Sequence, residues 1–242
     1  MLNFNGVDIP NFVRVKAVNI SALPSINTNL KGSMAGFGVL SGKTSFEEKT
    51  ITASIIIVIP EGYTLQKCAR ELAVWLKGNN FELSPLILKE DADVRYMAKA
   101  SSSVALSDLL VAGEGEIEFV IPSGCGESIS EKSVSGTTKA SVNYTGSIRA
   151  FPVIEVTVGG TASTVTITHV QKGNSIFLNG SFKSGDKILI DCGKHLVKVN
   201  GKVHMDMIGI TSKFIELDSG INEISCSVAT SNIKVTYREK YL

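Results

Sequence analysis

Residues 62–80, GYTLQKCARELAVWLKGNN, interrupt a chain whose other apolar runs are short, rich in valine and isoleucine and separated by glycine. The apolar residues of this stretch recur at the spacing of one helical face. They are Leu65, Cys68, Ala69, Leu72, Ala73 and Leu76. Thr64 is a suitable N-cap and Gly78 is suited to end a helix. The stretch predicts one amphipathic helix over residues 64–77 in a mainly β protein, with Trp75 packing at the edge of its apolar stripe.

The residues before the helix predict two strands and one arm. Residues 11–20 alternate apolar and basic side chains, with Val13 and Ala17 on the same face, which is typical of a half-exposed strand. Residues 24–42 are rich in serine and glycine and predict a long loop or a glycine-rich hairpin arm, of the kind that proteins use for contacts. Residues 49–60, KTITASIIIVIP, are largely β-branched and predict a central strand buried on both faces.

The residues after the helix complete a first domain and then change in character. Alternating and β-branched runs predict three further strands, over residues 94–100, 104–111 and 116–121. The segment that follows is dominated by Ser, Gly, Thr and Lys, which places the domain boundary there. The predicted divisions are a first domain over residues 1–128, a linker over 129–145 and a second domain over 146–242.

The second half of the chain contains eight short strand-like runs and no helical pattern. Glycine or Asn-Gly separates most of the runs, so they predict an antiparallel β-sandwich. The runs are FPVIEVTV, STVTITHV, SIFLNG, KILIDC, HLVKVNGKVHM, KFIELD, NEISCSV and IKVTYR. The predicted fold is therefore a β-sandwich with one α-helix followed by a second, antiparallel β-sandwich.

The composition of the chain argues against several classes of protein. Lys and Arg total 24 against 23 Asp and Glu, and aromatic residues make up 7% of the 242 residues, which argues against a binder of nucleic acid or of an anionic membrane. The first ten residues lack a basic region followed by an apolar core, so we expect a soluble protein without an export signal. The four cysteines, Cys68, Cys125, Cys192 and Cys226, form no CxxC pair, and we expect reduced, mostly buried thiols.

One short segment concentrates residues that bind metals elsewhere. Residues 191–206 contain Asp191, Cys192, His195, His204 and Asp206. Asn200-Gly201 is a strong type I′ hairpin signal, and that turn places Leu196 opposite Met205 and His195 opposite Asp206.

The same register argues against a metal centre. Leu196 and Met205 mark the opposite face of the hairpin as buried, so the His and Asp side chains are expected to point outward. Cys192 alternates with Ile188 and Ile190 and is expected to face the core. We therefore predict an exposed pair of side chains at this hairpin and assign no metal, cofactor-binding or catalytic residue.

Cys125 lies between glycines in SGCGES, as some nucleophilic cysteines do. A thiol nucleophile needs an imidazole base nearby. All three histidines, His169, His195 and His204, belong to the second half of the chain. We therefore predict a turn residue at Cys125.

The order of these features resembles a known family. An opening strand, a glycine-rich arm, a β-branched strand and a helix ending in LAVWLKG are followed by DADVRYMAKA and GEIEFVIP. This order resembles the N-terminal domain of the distal tail (Dit) proteins of long-tailed phages of Gram-positive bacteria. The second half is similar to the galectin-like C-terminal domain of the same family in GSIRAFPVIEV, KILIDCGKHLVKVNGK, FIELDSGINEI and VTYREKYL.

Two departures from the family pattern are visible. Ile121-Pro122 lacks the acidic residue and proline that often follow this strand, which affects only the boundary between the domains. The His, Asn, Arg and Trp pattern of sugar-binding galectins is also absent, so the resemblance implies a galectin-like topology without a carbohydrate site.

The resemblance implies a structural role at the phage tail tip. It implies a homohexameric ring that lets DNA pass and that contacts the major tail tube protein, a tail-tip fibre or tail-associated lysin protein, and a receptor-binding protein. It implies a location in the virion after synthesis in the host cytoplasm, no enzymatic activity, no cofactor, no membrane and no sequence-specific nucleic-acid binding. The arm over residues 24–42 is the candidate for reaching a neighbouring subunit.

Two alternatives from other classes stay open on the residues alone. A carbohydrate-binding accessory protein would bind glycan through the outer sheet of its second domain. A metal-dependent enzyme would use His195, His204 and Asp206, and it would retain stoichiometric zinc that is lost on His204→Ala.

Overall fold

A computed structural model describes residues 2–32, 39–101 and 114–242 and divides the chain into two compact units. The first unit comprises Met1–Glu127 with Leu242, and the second comprises Ser128–Tyr241. Strands dominate both units, which confirms the mainly β fold class. Across these described residues, no helix is long and apolar enough to cross a membrane.

The first unit contains one helix and a series of strands. The strands are β1 (Leu2–Phe4), β2 (Val7–Asp8), β3 (Val13–Ile20), β4 (Ile26–Gly32), β5 (Val39–Phe46), β6 (Lys49–Ile57), β7 (Ser84–Leu88), β8 (Asp91–Ala100), β9 (Glu114–Ile121) and β10 (Gly126–Ser128), and the helix is α1 (Leu65–Lys77). The main sheet has the order β2-β1-β7-β8-β9-β6-β3, and all neighbouring strands in it are antiparallel. The predicted strand over residues 104–111 lies outside the described residues.

β6 is the central strand that its β-branched sequence predicts. It pairs with β3 on one side and β9 on the other, and Ile51, Ala53 and Ile55 have no exposed surface. The residues between them are only partly buried, so one face of β6 is buried and the other is partly exposed. The prediction of a central strand is confirmed, and the prediction that both faces are buried was wrong.

β3 departs from the predicted alternation at one point. Its register against β6 shifts between Val15 and Ala17, which is a β-bulge. An extra residue moves all later side chains to the other face. Ala17 is therefore exposed and Val18 is partly buried, so the prediction that Ala17 shares the face of Val13 was wrong.

The glycine-rich segment forms a hairpin arm. β4 and β5 pair with each other in a separate two-stranded sheet, with Ile26 opposite Phe46 at its base. The hairpin alternative predicted for residues 24–42 is thus confirmed where the structure describes them, and residues 33–38 of that range lie outside the description.

Helix α1 begins and ends as its sequence predicts. Thr64 is the N-cap and its side chain accepts a hydrogen bond from the Lys67 N–H at 3.3 Å. Gly78 follows the last turn with φ of 54° and ψ of −129°, a conformation that favours glycine, and its N–H bonds the Trp75 carbonyl. Both ends of the helix are therefore satisfied by local residues.

The buried face of α1 differs in detail from the predicted stripe. Cys68, Leu72 and Trp75 are buried, whereas Ala73 is exposed. Trp75 contacts Phe4 and Phe119 at ring centroid distances of 5.7 and 6.2 Å. The predicted packing role of Trp75 is confirmed, but it lies on the buried face and not at its edge, because the indole reaches the aromatic side chains of the sheet.

Replacing the N-cap is expected to weaken the first unit. In Thr64→Ala the Lys67 N–H loses its side-chain acceptor, and we expect a loss of about 1 kcal/mol in the free energy of unfolding. Urea unfolding followed by the fluorescence of Trp75, the only tryptophan, measures it. Thr64→Ser keeps the acceptor and should retain most of the stability; equal losses in both variants would contradict the capping role.

The second unit contains strands and one short 3₁₀ helix. The strands are β11 (Lys132–Thr137), β12 (Lys139–Tyr144), β13 (Val153–Thr157), β14 (Ala162–His169), β15 (Asn174–Phe182), β16 (Lys187–Asp191), β17 (Leu196–Val199), β18 (Lys202–Val203), β19 (Gly220–Cys226), β20 (Asn232–Tyr237) and β21 (Lys240–Tyr241), and the 3₁₀ helix is Met205–Met207. One sheet has the order β11-β20-β13-β16-β17-β18 and the other β12-β19-β14-β15. A single apolar core that includes Ile154, Val165 and Ile190 lies between them, as in a β-sandwich.

The segment predicted as a linker, residues 129–145, forms strands of the second unit. β11 pairs with β20 in one sheet, and β12 pairs with β19 in the other. Ala140, Val142 and Tyr144 alternate into the core, although polar residues separate them. The linker prediction was wrong because short serine- and lysine-containing edge strands resemble a linker in composition.

One predicted strand of the second unit is also wrong. KFIELD, residues 213–218, forms only an isolated bridge between Ala150 and Leu217. Its alternation reflects burial of Ile215 and Leu217 in the core. The apolar alternation therefore predicted the core residues of this segment correctly, but the segment does not pair with a neighbour as a strand.

Candidate assembly surfaces

The hairpin that carries the candidate metal ligands has the predicted register but a shorter ladder. Lys198 pairs with Val203 and Val199 with Lys202, as a type I′ turn at Asn200-Gly201 requires. Beyond Val203 the chain enters the 3₁₀ helix, so His195 and Asp206 do not become strand partners. The register prediction is confirmed for the turn and wrong for its far end.

The five candidate ligands do not converge. The His195 ring stacks on Phe214 with centroids 4.7 Å apart, while His204 Nδ1 lies 3.5 Å from Asp206 Oδ1. Cys192 has no exposed surface, and burial raises the pKa of its thiol to about 12, as suits the predicted core residue. In the part of the chain that the structure describes, no three His, Cys, Asp or Glu side chains are placed to hold a metal ion.

Cys125 is buried in the first unit, near a buried lysine. The side chain of Cys125 is 7% exposed and Lys49 is 2% exposed, with its Nζ atom 5.9 Å from the centre of the Tyr96 ring. Burial lowers the pKa of Lys49, and the nearby Cys125 opposes that shift. The three histidines all lie in the second unit, so Cys125 has no imidazole base in its own unit.

A groove on the first unit lies between α1 and the β1–β2 hairpin, and we call it the hairpin groove. It has a volume of about 520 Å³ and is lined mainly by apolar atoms, including those of Phe4, Val7, Pro10 and Val74. Val7 is 58% exposed and Val74 is 72% exposed. Large apolar side chains that are exposed together mark a contact surface more often than scattered ones do.

The β1–β2 hairpin that forms one wall was not predicted, although a signal for it exists. Asn5 and Gly6 have φ of 54° and 76°, as a type I′ turn requires, and Asn-Gly favours that turn. The hairpin is tied to α1 by Trp75, whose indole N–H donates to the Val7 carbonyl at 2.9 Å. The missed signal is therefore Asn5-Gly6, which separates two strands of only three and two residues.

The base of the arm carries a second exposed apolar set on the first unit. Leu23, Ile26 and Phe46 are 51%, 45% and 55% exposed, and Glu47 and Glu48 are exposed beside them. We call these five residues the arm base. Backbone hydrogen bonds between Ser25 and both glutamates hold it together.

In the second unit, a buried carboxylate joins three segments. Glu239 is 3% exposed and accepts hydrogen bonds from Lys132 Nζ at 2.7 Å, from the Tyr241 hydroxyl at 2.8 Å and from the N–H and hydroxyl of Thr145. Burial alone would raise the pKa of Glu239, but these donors outweigh it and lower the pKa to about 2. Glu239 therefore has a structural role, because the hydrogen bonds that it accepts connect β11, Thr145 and β21.

Comparison with known proteins assigns the class. A model described as phage tail protein RIFT-related domain matches residues 6–121, and one described as siphovirus-type tail component, C-terminal domain, matches residues 145–241. The chain is thus a structural component of a siphovirus-type phage tail, located in the virion. No curated protein sequence matches it significantly.

Solved structures extend the comparison over the whole chain. The Dit protein of phage SPP1, described as a paradigm of the hub adsorption apparatus in phages infecting Gram-positive bacteria, is 15% identical with a TM-score of 0.80, over 100% of this chain and 98% of that one. Two structures of the phage P2 baseplate in its activated conformation, with calcium and with strontium, are 8% and 9% identical with TM-scores of 0.46 and 0.45, over 98% of both chains. One family model matches the first half of the chain, the other matches the second half, and the fold of SPP1 Dit covers the whole chain. The chain therefore belongs to the distal tail (Dit) family.

Proposed function

We propose that the protein forms a homohexameric ring through its first unit and serves as the hub of the phage tail tip. The likeness of both units, over the whole chain, to the SPP1 hub protein is the observation that carries this proposal. The ring connects the tail tube to the adsorption apparatus, and the phage DNA passes through its centre.

The arm supports a role in self-association. A two-stranded hairpin is marginally stable by itself in water, so it gains stability from a surface that covers it. β4 and β5 form a sheet of their own, and the residues at the arm base leave apolar surface exposed. A closed ring needs two different surfaces that meet between neighbours, and a projecting arm provides one of them.

The proposed partners follow from the position of a hub. The ring contacts the major tail tube protein on one side and a tail-tip fibre or tail-associated lysin protein on the other, and the second unit is available to a receptor-binding protein. The protein acts without enzymatic chemistry or cofactor. The net charge of +1 suits a channel through which DNA passes, because a strongly basic wall would retain the phosphate backbone.

Assembly of the purified full-length chain tests the proposal. We expect light scattering to give a mass about six times the 25.8 kDa of one chain, and negative-stain images to show a sixfold annulus. Antibody labelling of virions should mark the distal end of the tail. A chain that stays monomeric at high concentration and that antibodies do not find in virions would contradict the proposal.

A further inference from the structure

We propose that Asn5, in the turn between β1 and β2, is a site of spontaneous deamidation at which the folded chain converts a side-chain amide into a carboxylate. An asparagine followed by glycine is open to this reaction, because glycine has no Cβ and its backbone nitrogen allows close approach. The chain contains three such pairs, Asn5-Gly6, Asn179-Gly180 and Asn200-Gly201. The reaction needs only water and does not depend on the proposed ring.

The reaction passes through a cyclic imide. The backbone nitrogen of Gly6 loses its proton and attacks Cγ of Asn5, so that a new C–N bond forms, the bond to the side-chain nitrogen breaks and ammonia leaves. Water then opens the ring by breaking one of its two C–N bonds. One product is aspartate, and the other is isoaspartate, in which the main chain runs through the former side chain. The net change is the uptake of one water and the loss of one ammonia.

The two Asn-Gly turns differ in how the asparagine side chain is held. Asn5 and Asn200 both have a left-handed backbone, with φ of 54° and 50°. Asn200 Oδ1 accepts the Lys187 N–H at 2.9 Å, and Asn200 Nδ2 donates to Asp186 Oδ1 at 3.0 Å. The side chain of Asn5 is exposed and has no hydrogen bond with the residues that the structure describes. Asn200 must therefore break two bonds before its Cγ can turn towards the next nitrogen, and Asn5 breaks none.

The backbone around the two turns is otherwise similar, so the comparison between them is matched. Each turn joins two short antiparallel strands, β1 to β2 and β17 to β18, through two pairs of residues. One further backbone hydrogen bond of 3.0 Å closes each hairpin. A Cβ added to Gly6 or Gly201 would meet no atom within 4 Å, so both glycines are equally open. The bound side chain of Asn200 is therefore the feature that separates the two turns.

The third Asn-Gly pair lies inside a strand. Asn179 belongs to β15 and pairs with Thr164 of β14. Seven pairs of residues hold β15 on β14, whereas two pairs hold β2 on β1. Closing the imide ring requires the backbone to leave its folded conformation, and a long ladder opens less often than a short one. We therefore expect Asn179 to react more slowly than Asn5.

Conversion of Asn5 changes the hairpin that packs against Trp75. The isoaspartate product adds one methylene group to the main chain, so the two-residue turn no longer places Phe4 opposite Val7. The Val7 carbonyl accepts the indole N–H of Trp75 at 2.9 Å, and that bond depends on the present register. The isoaspartate form therefore loses the contact that ties the hairpin to α1.

Ageing of the natural full-length chain tests the proposal. We incubate the folded protein in warm, mildly alkaline buffer and follow the three Asn-Gly peptides by mass spectrometry, with the same incubation in urea as the control. We expect Asn5 to convert at least about tenfold faster than Asn200 in the folded protein, because two side-chain hydrogen bonds protect Asn200. In urea the three pairs should convert at similar rates, since folding no longer separates them.

The rates in the folded protein decide the outcome. Conversion of Asn200 or Asn179 as fast as that of Asn5 would overturn the proposal. An intact Asn5 in a folded chain whose unfolded control has converted would overturn it as well. Asp186→Ala removes one of the two bonds of Asn200, so it should raise the rate at Asn200 and leave the rate at Asn5 unchanged. An unchanged rate at Asn200 would refute the protective role of these bonds.

A second measurement tests the effect on the hairpin. The isoaspartate form is separated by ion exchange, and its urea midpoint is measured by the fluorescence of Trp75. Asn5→Asp is the matched control, because it carries the same charge on an ordinary main chain. We expect a lower midpoint for the isoaspartate form than for Asn5→Asp. Equal midpoints would show that the added methylene leaves the hairpin in place and would overturn this part of the proposal.

Discussion

Replacing Phe119 with alanine is expected to destabilise the first unit by about 3–5 kcal/mol. The ring has no exposed surface and contacts Phe4 and Trp75 at centroid distances of 5.2 and 6.2 Å. Removing it leaves a cavity where the sheet, the β1–β2 hairpin and α1 meet. These elements cannot all close around the cavity, so the lost contacts are not replaced.

Urea unfolding followed by the fluorescence of Trp75 measures the stability of the first unit, because Trp75 lies in that unit. Phe119→Leu retains most of the buried volume and is expected to lose less than Phe119→Ala. Phe81→Ala is the matched control for the loss of a phenyl group, because Phe81 is 67% exposed, and we expect a change within about 0.5 kcal/mol. A midpoint for Phe119→Ala equal to that of Phe81→Ala would contradict the placement of Phe119 in the core.

Replacing Glu239 with glutamine is expected to cost the second unit about 2–3 kcal/mol at pH 7. The pKa of Glu239 falls from an ordinary 4.5 to about 2 in the folded chain, and a shift of that size equals about 3 kcal/mol. Lys132 is half-exposed, and solvent screening reduces the expected effect below that figure. The amide of glutamine also presents a donor where Lys132 already donates.

The pH dependence of the stability of the second unit is a sharper test of the role of Glu239. The folded pKa of Glu239 is lowered, so its contribution to stability is fully present above about pH 4.5 and is lost as the pH falls towards 2. Hydrogen exchange in peptides from β11, β12 and β20, measured from pH 7 to pH 3, should show this loss in the natural chain. In Glu239→Gln the same peptides should show much less change across that window.

Glu216 provides the control for a carboxylate in a partly exposed ion pair. It pairs with Arg149, whose side chain is 62% exposed, and lies 3.9 Å from Lys172 Nζ, so Glu216→Gln is expected to cost less than about 1 kcal/mol. If both glutamate variants lost the same stability with the same pH dependence, the buried network around Glu239 would not have the role that we assign to it.

Local sequence signals identified several elements correctly. Thr64 and Gly78 predicted the ends of the helix, because capping depends on residues within one turn. Asn200-Gly201 predicted the register of its hairpin, since a two-residue turn determines which residues face each other. Ile188, Ile190 and Cys192 alternate into the core as predicted, because the side-chain period of a strand is two.

The missed elements have weak local signals and strong tertiary partners. β1, β2 and β7 escaped prediction because the first two are very short and Pro85 interrupts the third. The sequences of β11 and β12 were predicted to be a linker because at least half of their residues are polar. Each of these strands is held by a neighbouring strand, and β7, β11 and β12 pair with strands distant in the sequence: β7 lies against β1, β11 against β20 and β12 against β19.

The sequence by itself determined the mainly β class, the capped helix, the tight Asn200-Gly201 hairpin and, through the order of its features, the family. All of these depend on neighbours a few residues away or on the order of elements along the chain. Only the tertiary structure decided that Phe4, Trp75 and Phe119 share one cluster, that Glu239 meets Lys132 and Thr145, and that α1 and the β1–β2 hairpin leave a groove between them. These contacts join residues 44 to 115 positions apart in the sequence, and only the folded chain brings such residues together.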